Sequence, residues 1–229
     1  MRCLRPRPRA ILMVVVSSLV LVRVASAAHS LVDRVKDGPA AAATRESYRC
    51  LELGEASDDD ARKLDWYRRG KEFADTAVRE DERSAEAHFA LFANWGRWLQ
   101  TDGWLRNSFH LPALRKELNR ALELDPNHPD ALAAEGGLYL QLPRFLGGDA
   151  SKAEPLLVRA IALDPEAVGA RLELADCYLR RERRDAARDL AAAALRLAIT
   201  QGKTRYIRRA DNLLQEIGPP SGHVEALAR

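Results

Sequence analysis

The heptapeptide Arg-Ala-Leu-Glu-Leu-Asp-Pro occupies residues 120–126, and a close copy, Arg-Ala-Ile-Ala-Leu-Asp-Pro, occupies residues 159–165. A fresh apolar run begins five residues after each proline. Proline disfavours the α conformation in the residue before it and cannot donate to a helical ladder, so Asp125 and Asp164 are predicted to end helices. Each copy therefore predicts a helix, an Asp-Pro turn and a second helix.

The residues on both sides of these turns resemble the tetratricopeptide repeat (TPR), a helix–turn–helix unit of 34 residues. In one unit, the residues that fall on the marked positions of the family are Leu132, Gly136, Tyr139, Ala153, Leu157, Ala160 and Pro165. In the next unit they are Leu174, Ala175, Tyr178, Ala187, Ala191 and Ala194. The first of these units has five extra residues, which we assign to the loop 142–148. The resemblance implies an all-α solenoid of stacked helical hairpins.

Helical spacing of apolar residues continues well beyond these two units. We predict a TPR-like repeat domain over residues 44–217, with about eight or nine helices and no sheet. The helix after Gly202 is expected to cover the last repeat. Residues 28–43 are small, polar and charged and predict a linker, and residues 218–229 predict a disordered tail.

The N-terminal residues 1–27 have the layout of a secretory signal peptide. Four arginines precede an apolar run at residues 10–22, and Ala-Ser-Ala follows at residues 25–27. Thirteen apolar residues are fewer than the ~20 that span a bilayer, which favours cleavage over a membrane anchor. We predict a mature chain that begins near Ala28, is periplasmic or secreted, and has no stable membrane span.

The charge balance argues against a nucleic-acid-binding protein. The whole chain has 36 basic and 33 acidic residues, but residues 1–27 hold five arginines and no acid, so residues 28–229 hold 31 and 33. Nucleic-acid binding depends on a concentrated basic patch, which the predicted mature chain does not show.

The two cysteines outside the signal segment, Cys50 and Cys177, are predicted to be buried free thiols. They lie in repeats separated by others, and repeats contact only their neighbours. A disulfide needs Cα atoms within about 7 Å of each other.

The sequence shows no pattern typical of an enzyme. Its five histidines are scattered, and it has neither His-Glu-x-x-His nor Cys-x-x-Cys to hold a metal. A Gly-x-Ser-x-Gly turn and a phosphate-binding glycine loop are also missing. We therefore expect a binding module without catalytic activity, cofactor or metal site.

Aromatic residues concentrate where the repeat spacing is disturbed. Ala77 and Ala121 occupy equivalent second-helix positions but lie 44 residues apart, so about ten residues beyond the usual unit of 34 are inserted in segment 101–110. The aromatic residues in and before the insertion include Phe89, Trp98, Trp104 and Phe109. Two interpretations stay open, a pocket for an apolar or ring-bearing ligand and an ordinary core. We predict that the insertion is functional, because Trp104 and Phe109 are unusual in a surface loop.

Two further candidates come from the concave positions of the first helices. Some TPR proteins hold the terminal carboxylate of a peptide there with Lys and Asn, but this chain has Phe89, Ala93, Ala133, Gly137, Leu172 and Asp176. That carboxylate clamp is therefore absent. We take Gly137 and Asp176, together with Phe89, Trp98, Trp104 and Phe109, as candidates for contact with a partner or ligand.

A narrower resemblance rests on Ser-Ala-Glu-Ala-His at residues 84–88, Asn-Trp-Gly-Arg at residues 94–97 and the loop 142–149. Over about residues 47–197 the chain is similar to the periplasmic T component of tripartite ATP-independent (TRAP) transporters. That similarity implies an exported helical protein that forms a homo-oligomer and cooperates with a solute-binding protein. We expect a protein-binding scaffold of this kind. The alternative is a periplasmic carrier of a small apolar or ring-bearing ligand.

Overall fold

The computed structural model describes residues 31–103 and 106–219 of the chain. Two 3₁₀ turns, Ser108–His110 and Arg144–Leu146, accompany the α-helices. The α-helices are α1 (Leu31–Arg34), α2 (Ala41–Ala56), α3 (Asp60–Glu80), α4 (Ala85–Asp102), α5 (Leu111–Leu124), α6 (Pro129–Gln141), α7 (Ala150–Leu163), α8 (Val168–Arg180), α9 (Arg184–Thr200) and α10 (Thr204–Ile217). The nine long helices α2 to α10, with no strand in the described ranges, confirm the predicted all-α class and helix number.

The long helices form a row of hairpins in which each helix packs against the next one along the chain. Helices α4, α6 and α8 are the first helices of three successive hairpins, and α5, α7 and α9 are the second helices. Helix α10 packs on both α9 and α8, so it takes the place of a further first helix. Its buried residues Ala210, Leu213 and Ile217 join the apolar cluster of the last hairpin.

The two Asp-Pro turns have the same local structure, as the repeated sequence predicts. Asp125 and Asp164 are the C-caps of α5 and α7, and both have an extended backbone. Each Asp side chain accepts a hydrogen bond from the backbone N–H two residues later, at 2.9 Å in both turns. Pro129 then opens α6, where its missing N–H leaves no hydrogen bond unmade.

Side chains at the helix starts satisfy exposed backbone donors, as expected for N-caps. Asp59 accepts from the N–H of Arg62 at the start of α3, and Ser84 accepts from the N–H of Ala87 at the start of α4. At α7 the cap is Asp149, whose side chain accepts from the N–H of Ser151, and the helix begins at Ala150.

Small residues at the repeat positions allow the helices to approach closely. The alanines at the second-helix positions are fully buried, among them Ala121, Ala153, Ala160, Ala187, Ala191 and Ala194. A Cβ atom on Gly136 would lie 2.8 Å from Cγ of Leu157. This contact confirms the register assigned to Gly136 from the sequence.

Both described cysteines are free and buried, which confirms the prediction for Cys50 and Cys177. Burial raises the pKa of each thiol above its ordinary value, because the thiolate loses its hydration. These thiols are therefore unreactive compared with exposed cysteines.

The ends of the chain differ from the sequence-based boundaries. Part of the segment 28–43, expected to be a linker, is structured: it contains α1 and the start of α2, and Val35, Ala40 and Ala41 are buried. The predicted signal peptide and nearly all of the predicted tail lie outside the described residues. None of the helices in the described ranges is both long enough and apolar enough to cross a membrane.

A buried histidine makes the stability of the fold depend on pH. Nδ1 of His88 lies 2.7 Å from Oε2 of Glu117, and its Nε2 lies 3.1 Å from the carbonyl oxygen of Glu82. The hydrogen bond to Glu117 raises the pKa of His88 above its ordinary value of 6.5. Because the folded pKa exceeds the unfolded one, the stabilisation is fully present below pH 6.5 and is lost as the pH rises through the folded pKa.

We therefore expect the melting temperature to fall as the pH is raised through this window, and His88→Gln to remove part of that decrease. Glu117→Gln should have the same effect, since it removes the negative charge that favours the protonated imidazole. Thermal unfolding followed by circular dichroism at several pH values measures both. Identical pH profiles for the wild type and both variants would contradict the assignment.

Candidate functional site: a half-open concave chamber

The inner surface of the solenoid forms a half-open chamber of about 590 Å³. Its wall comes mainly from α4, α6 and α8, and α2 and α10 contribute from the two ends of the solenoid. Small residues on the first helices keep the space open: Ala93, Gly96, Ala133, Gly137, Gly169 and Ala170. The volume is within the roughly 300–1,000 Å³ of small-molecule sites, and it also suits a short segment of a partner protein.

The two ends of the solenoid meet beside the chamber. Oε1 of Glu55 on α2 accepts from Nε of Arg97 at 3.0 Å and also pairs with Arg205 on α10. Oδ1 of Asp58, just after α2, accepts from Nη1 and Nη2 of Arg208 at 3.1 and 3.2 Å. The pairs from α2 to α10 join residues 150 positions apart in the chain. The described part of the superhelix therefore closes head to tail.

Arg97 is the cation at the centre of this closure. Burial alone would lower the pKa of Arg97, but the carboxylate of Glu55, helped by Tyr206 and Tyr67, raises it above its ordinary value. Nη1 of Arg97 also donates to Oε1 of Gln100 at 2.9 Å. Its charge is therefore fixed in position on the chamber wall.

Tyr206 of α10 supplies a phenol to the chamber, opposite a glycine of α8. A Cβ atom on Gly169 would lie 3.4 Å from Oη of Tyr206, so glycine leaves room for the ring. The charge of Glu55 and burial both raise the pKa of Tyr206 above its ordinary value. The phenol therefore stays protonated at neutral pH and offers an uncharged hydrogen-bonding group.

Glu173 of α8 is the buried carboxylate of the chamber, only 9% exposed. Its Oε1 accepts from Nη1 of Arg209 on α10 at 2.8 Å, whereas its Oε2 has no hydrogen-bond partner. A Cβ atom on Gly137 would lie 3.5 Å from Cδ of Glu173. The absence of a side chain at Gly137 thus leaves room for the Glu173 carboxylate, and the ion pair with Arg209 connects that carboxylate to α10.

The wall as a whole is strongly charged but nearly balanced. It contains seven acidic and five basic residues, and four of the five basic residues, Arg97, Arg205, Arg208 and Arg209, form ion pairs with other wall residues. A charged ligand or partner segment that enters the chamber can therefore replace one member of these ion pairs. Such exchange makes binding sensitive to salt.

Two of the sequence-based candidates line the chamber. Phe89 is 6% exposed, and its ring centroid lies 4.8 Å from that of His128 and 6.1 Å from that of Phe92. Phe89 belongs to the main apolar cluster and also lines the chamber. At this residue the aromatic cluster is therefore both ordinary core and part of a pocket. Gly137 is the second, opposite Glu173.

The other candidates lie elsewhere. Asp176 is outside the chamber wall, and its Oδ2 accepts from Nη2 of Arg180 one turn later at 3.1 Å. Trp98 is partly buried against the main apolar cluster. Phe109 is 71% exposed on the first 3₁₀ turn, so it does not fold back into the core. Trp104 lies outside the described residues.

Sequence reasoning missed the residues that close the chamber, namely Glu55, Arg205, Tyr206 and Arg209. The only sequence signal was the spacing of three arginines, 205, 208 and 209, on one amphipathic helix. That spacing is typical of a solvated face, and nothing in it indicates a partner on α2. Only the superhelical path of the chain brings these groups together.

Comparison with known proteins supports the repeat fold. Residues 144–198 match the family model of the tetratricopeptide repeat. The structure is similar to that of TTC0263, a thermophilic TPR protein in Thermus thermophilus, with a TM-score of 0.50 and 23% identity over 89% of this chain and 97% of that chain. No curated protein sequence matches the chain.

Two other solved structures are similar at lower TM-scores. Pseudomonas aeruginosa pilF has a TM-score of 0.46 and 21% identity, over 80% of this chain and 81% of that chain. MamA from Desulfovibrio magneticus RS-1, residues 41 to the end, has a TM-score of 0.44 and 15% identity, over 79% of this chain and 94% of that chain.

The matched range 144–198 contains α7, α8 and most of α9, and of these three helices α8 contributes to the chamber wall, with Glu173. The likeness to the Thermus protein extends the same fold over most of the chain. Residues 144–198 therefore match the tetratricopeptide repeat, and the described residues fold as a TPR-like helical solenoid.

Proposed function

We propose that this chain is an exported protein-binding scaffold, an accessory component that works with the periplasmic solute-binding protein of a TRAP-type transporter. The chamber on the concave side carries the proposal, since it is the place where a TPR-like solenoid offers a shaped surface to a partner segment. The sequence similarity to the T component supports the partner class. The layout of residues 1–27 supports export.

The chamber favours a short polar segment of the partner over a large flat surface. Its wall combines the apolar faces of Phe89 and Phe92 with the ion pairs of Glu55 and Glu173. A partner segment with charged and aromatic side chains fits both parts of the wall. It competes with Arg205 and Arg209 for the carboxylates, so association is expected to weaken as salt is added.

Filling the chamber should abolish partner binding without unfolding the chain. Gly96→Leu is suited to this, because a Cβ atom on Gly96 meets only Leu114, at 3.8 and 4.0 Å, and the glycine lines the chamber. The matched control is Gly38→Leu, where a Cβ atom meets nothing within 4 Å and the position is outside the wall. Isothermal titration calorimetry of residues 28–229 with a periplasmic solute-binding protein of a TRAP-type transporter from the same organism measures the association.

We expect the wild type and Gly38→Leu to bind equally and Gly96→Leu to bind at least about tenfold more weakly, the loss that 1.4 kcal/mol produces. No association with the solute-binding protein, or equal binding by all three chains, would contradict the proposal. The same proposal includes a homo-oligomer, which sedimentation equilibrium of residues 28–229 tests.

The chamber volume also favours a second candidate, a carrier of a small apolar or ring-bearing ligand. In that case the chain alone should bind an aromatic probe such as 1-anilinonaphthalene-8-sulfonate in its native state, and Gly96→Leu should abolish that binding. A scaffold that does not carry small ligands should bind the probe weakly and equally in both chains.

A further inference from the structure

Two segments lengthen the repeat spacing, the insertion 101–110 and the loop 142–148. They contain the two most exposed aromatic side chains of the described residues. Phe145, on the 3₁₀ turn Arg144–Leu146, is 83% exposed, and Phe109, on the 3₁₀ turn Ser108–His110, is 71% exposed. Both turns connect the first helix of a hairpin to its second helix. In a solenoid, connections of the same type lie on the same edge.

Polar contacts place the two turns beside each other. Nη2 of Arg115, one turn into α5, donates to the carbonyl oxygen of Leu146 at 3.2 Å. At the ends of the preceding first helices, Nε2 of Gln100 donates to Oε1 of Gln141, also at 3.2 Å. Phe109 and Phe145 therefore flank one continuous edge, which we call the aromatic edge: residues 106–116 and 143–152.

The turn that carries Phe145 is well ordered by its own backbone. The carbonyl oxygen of Pro143 accepts from the N–H of Leu146 at 2.9 Å and from that of Gly148 at 3.0 Å. Gly147 has a φ of 89°, in the left-handed region that favours glycine. A Cβ atom on Gly148 would lie 1.8 Å from the carbonyl oxygen of Leu142, so only glycine fits there. The backbone thus holds Phe145 in solvent.

The aromatic edge is positively charged, although the predicted mature chain is not. Residues 106–116 and 143–152 hold five basic residues and one acidic residue, whereas residues 28–229 hold 31 and 33. The side chain of Arg106 is 70% exposed even though it pairs with Asp102. Arg144 is exposed and directly precedes Phe145.

We propose that the aromatic edge docks the protein on an anionic lipid surface. The two phenyl rings enter the interface between headgroups and acyl chains, and the neighbouring Arg and Lys side chains contact lipid phosphates. Aromatic and basic side chains share this level of a membrane. The excess of basic over acidic residues on this edge, five against one, complements the negative charge of an anionic lipid surface. This docking goes beyond the proposed binding of a protein partner and uses a different surface.

Vesicle co-sedimentation tests the proposal with residues 28–229 and vesicles of pure phosphatidylglycerol or pure phosphatidylcholine. The wild type should sediment with phosphatidylglycerol vesicles and stay in solution with phosphatidylcholine vesicles. Phe109→Ser combined with Phe145→Ser should weaken binding at least about tenfold, because burial of two phenyl groups is lost. Arg106→Gln combined with Arg144→Gln should weaken it about fivefold per arginine at low salt.

The matched control is Ile199→Ser, since Ile199 on α9 is 59% exposed and lies outside the aromatic edge. It should bind as the wild type does, and circular dichroism should show the same helix content for every variant. The proposal is overturned if the wild type stays in solution with phosphatidylglycerol vesicles. It is equally overturned if both lipids bind alike, or if the phenylalanine variant binds as well as the control. Failure of this test leaves the chamber-based association with a solute-binding protein unaffected, since that uses other residues.

Discussion

Replacement of Gly136 by leucine is expected to lower the free energy of unfolding by about 1–3 kcal/mol. The Cβ atom alone would lie 2.8 Å from Cγ of Leu157 and 3.3 Å from the carbonyl oxygen of Ala153. Leu157 is fully buried, so it has no free space into which to move. Chemical denaturation followed by circular dichroism measures the loss.

Alanine substitutions at two adjacent glycines provide the control. A Cβ atom on Gly137 makes only ordinary contacts, the nearest at 3.5 Å with Glu173. Gly137→Ala should therefore keep or slightly raise stability, because alanine favours the helix interior by roughly 0.5–1 kcal/mol over glycine. Gly136→Ala gains the same propensity but meets Leu157. Equal stability of the two alanine variants would contradict the packing assigned to α6 and α7.

Removal of the Glu55 carboxylate is the second change expected to have a large effect. Glu55→Gln leaves Arg97 and Arg205 without their shared carboxylate, and all three side chains are less than one third exposed. Leaving a partly buried charge unpaired costs about 1–3 kcal/mol. We expect a loss of stability of that size and a more open superhelix, measured by denaturation and by small-angle X-ray scattering.

Glu46→Gln is the matched control for Glu55→Gln. It makes the same change on the same helix, but the pair between Glu46 and Arg49 is exposed and links neighbouring turns of α2. Exposed pairs of this kind contribute little to stability. If the two variants were equally stable, the ion pairs between α2 and α10 would not hold the ends of the solenoid together.

The repeat fold could be predicted from the sequence because its causes are local. The proline after Asp125 or Asp164 ends a helix whatever the rest of the chain does, and Gly136 marks a close approach within one hairpin. The buried part of segment 28–43 was missed because its alanines carry no helical stripe that distinguishes packed from solvated residues.

The chamber could be predicted only in part, because its closure is not local. Phe89 and Gly137 were identified from their places on the first helices. The pairing of Glu55 with Arg205 depends on how much each hairpin between α2 and α10 is rotated relative to the one before it. A short sequence pattern cannot predict the sum of these rotations. Phe109 is exposed, as expected for a residue in a long loop with polar neighbours.

The head-to-tail closure is most directly tested by a distance measurement in solution. Spin labels on Ser57→Cys and Thr204→Cys in residues 28–229 report the separation of α2 and α10 by electron paramagnetic resonance. These sites adjoin Asp58 and Arg205 without removing either, and the native thiols Cys50 and Cys177 are buried and slow to react. A single short distance is predicted, comparable with the reach of the two labels. A long or broad distance distribution would show separated ends and contradict the head-to-tail closure.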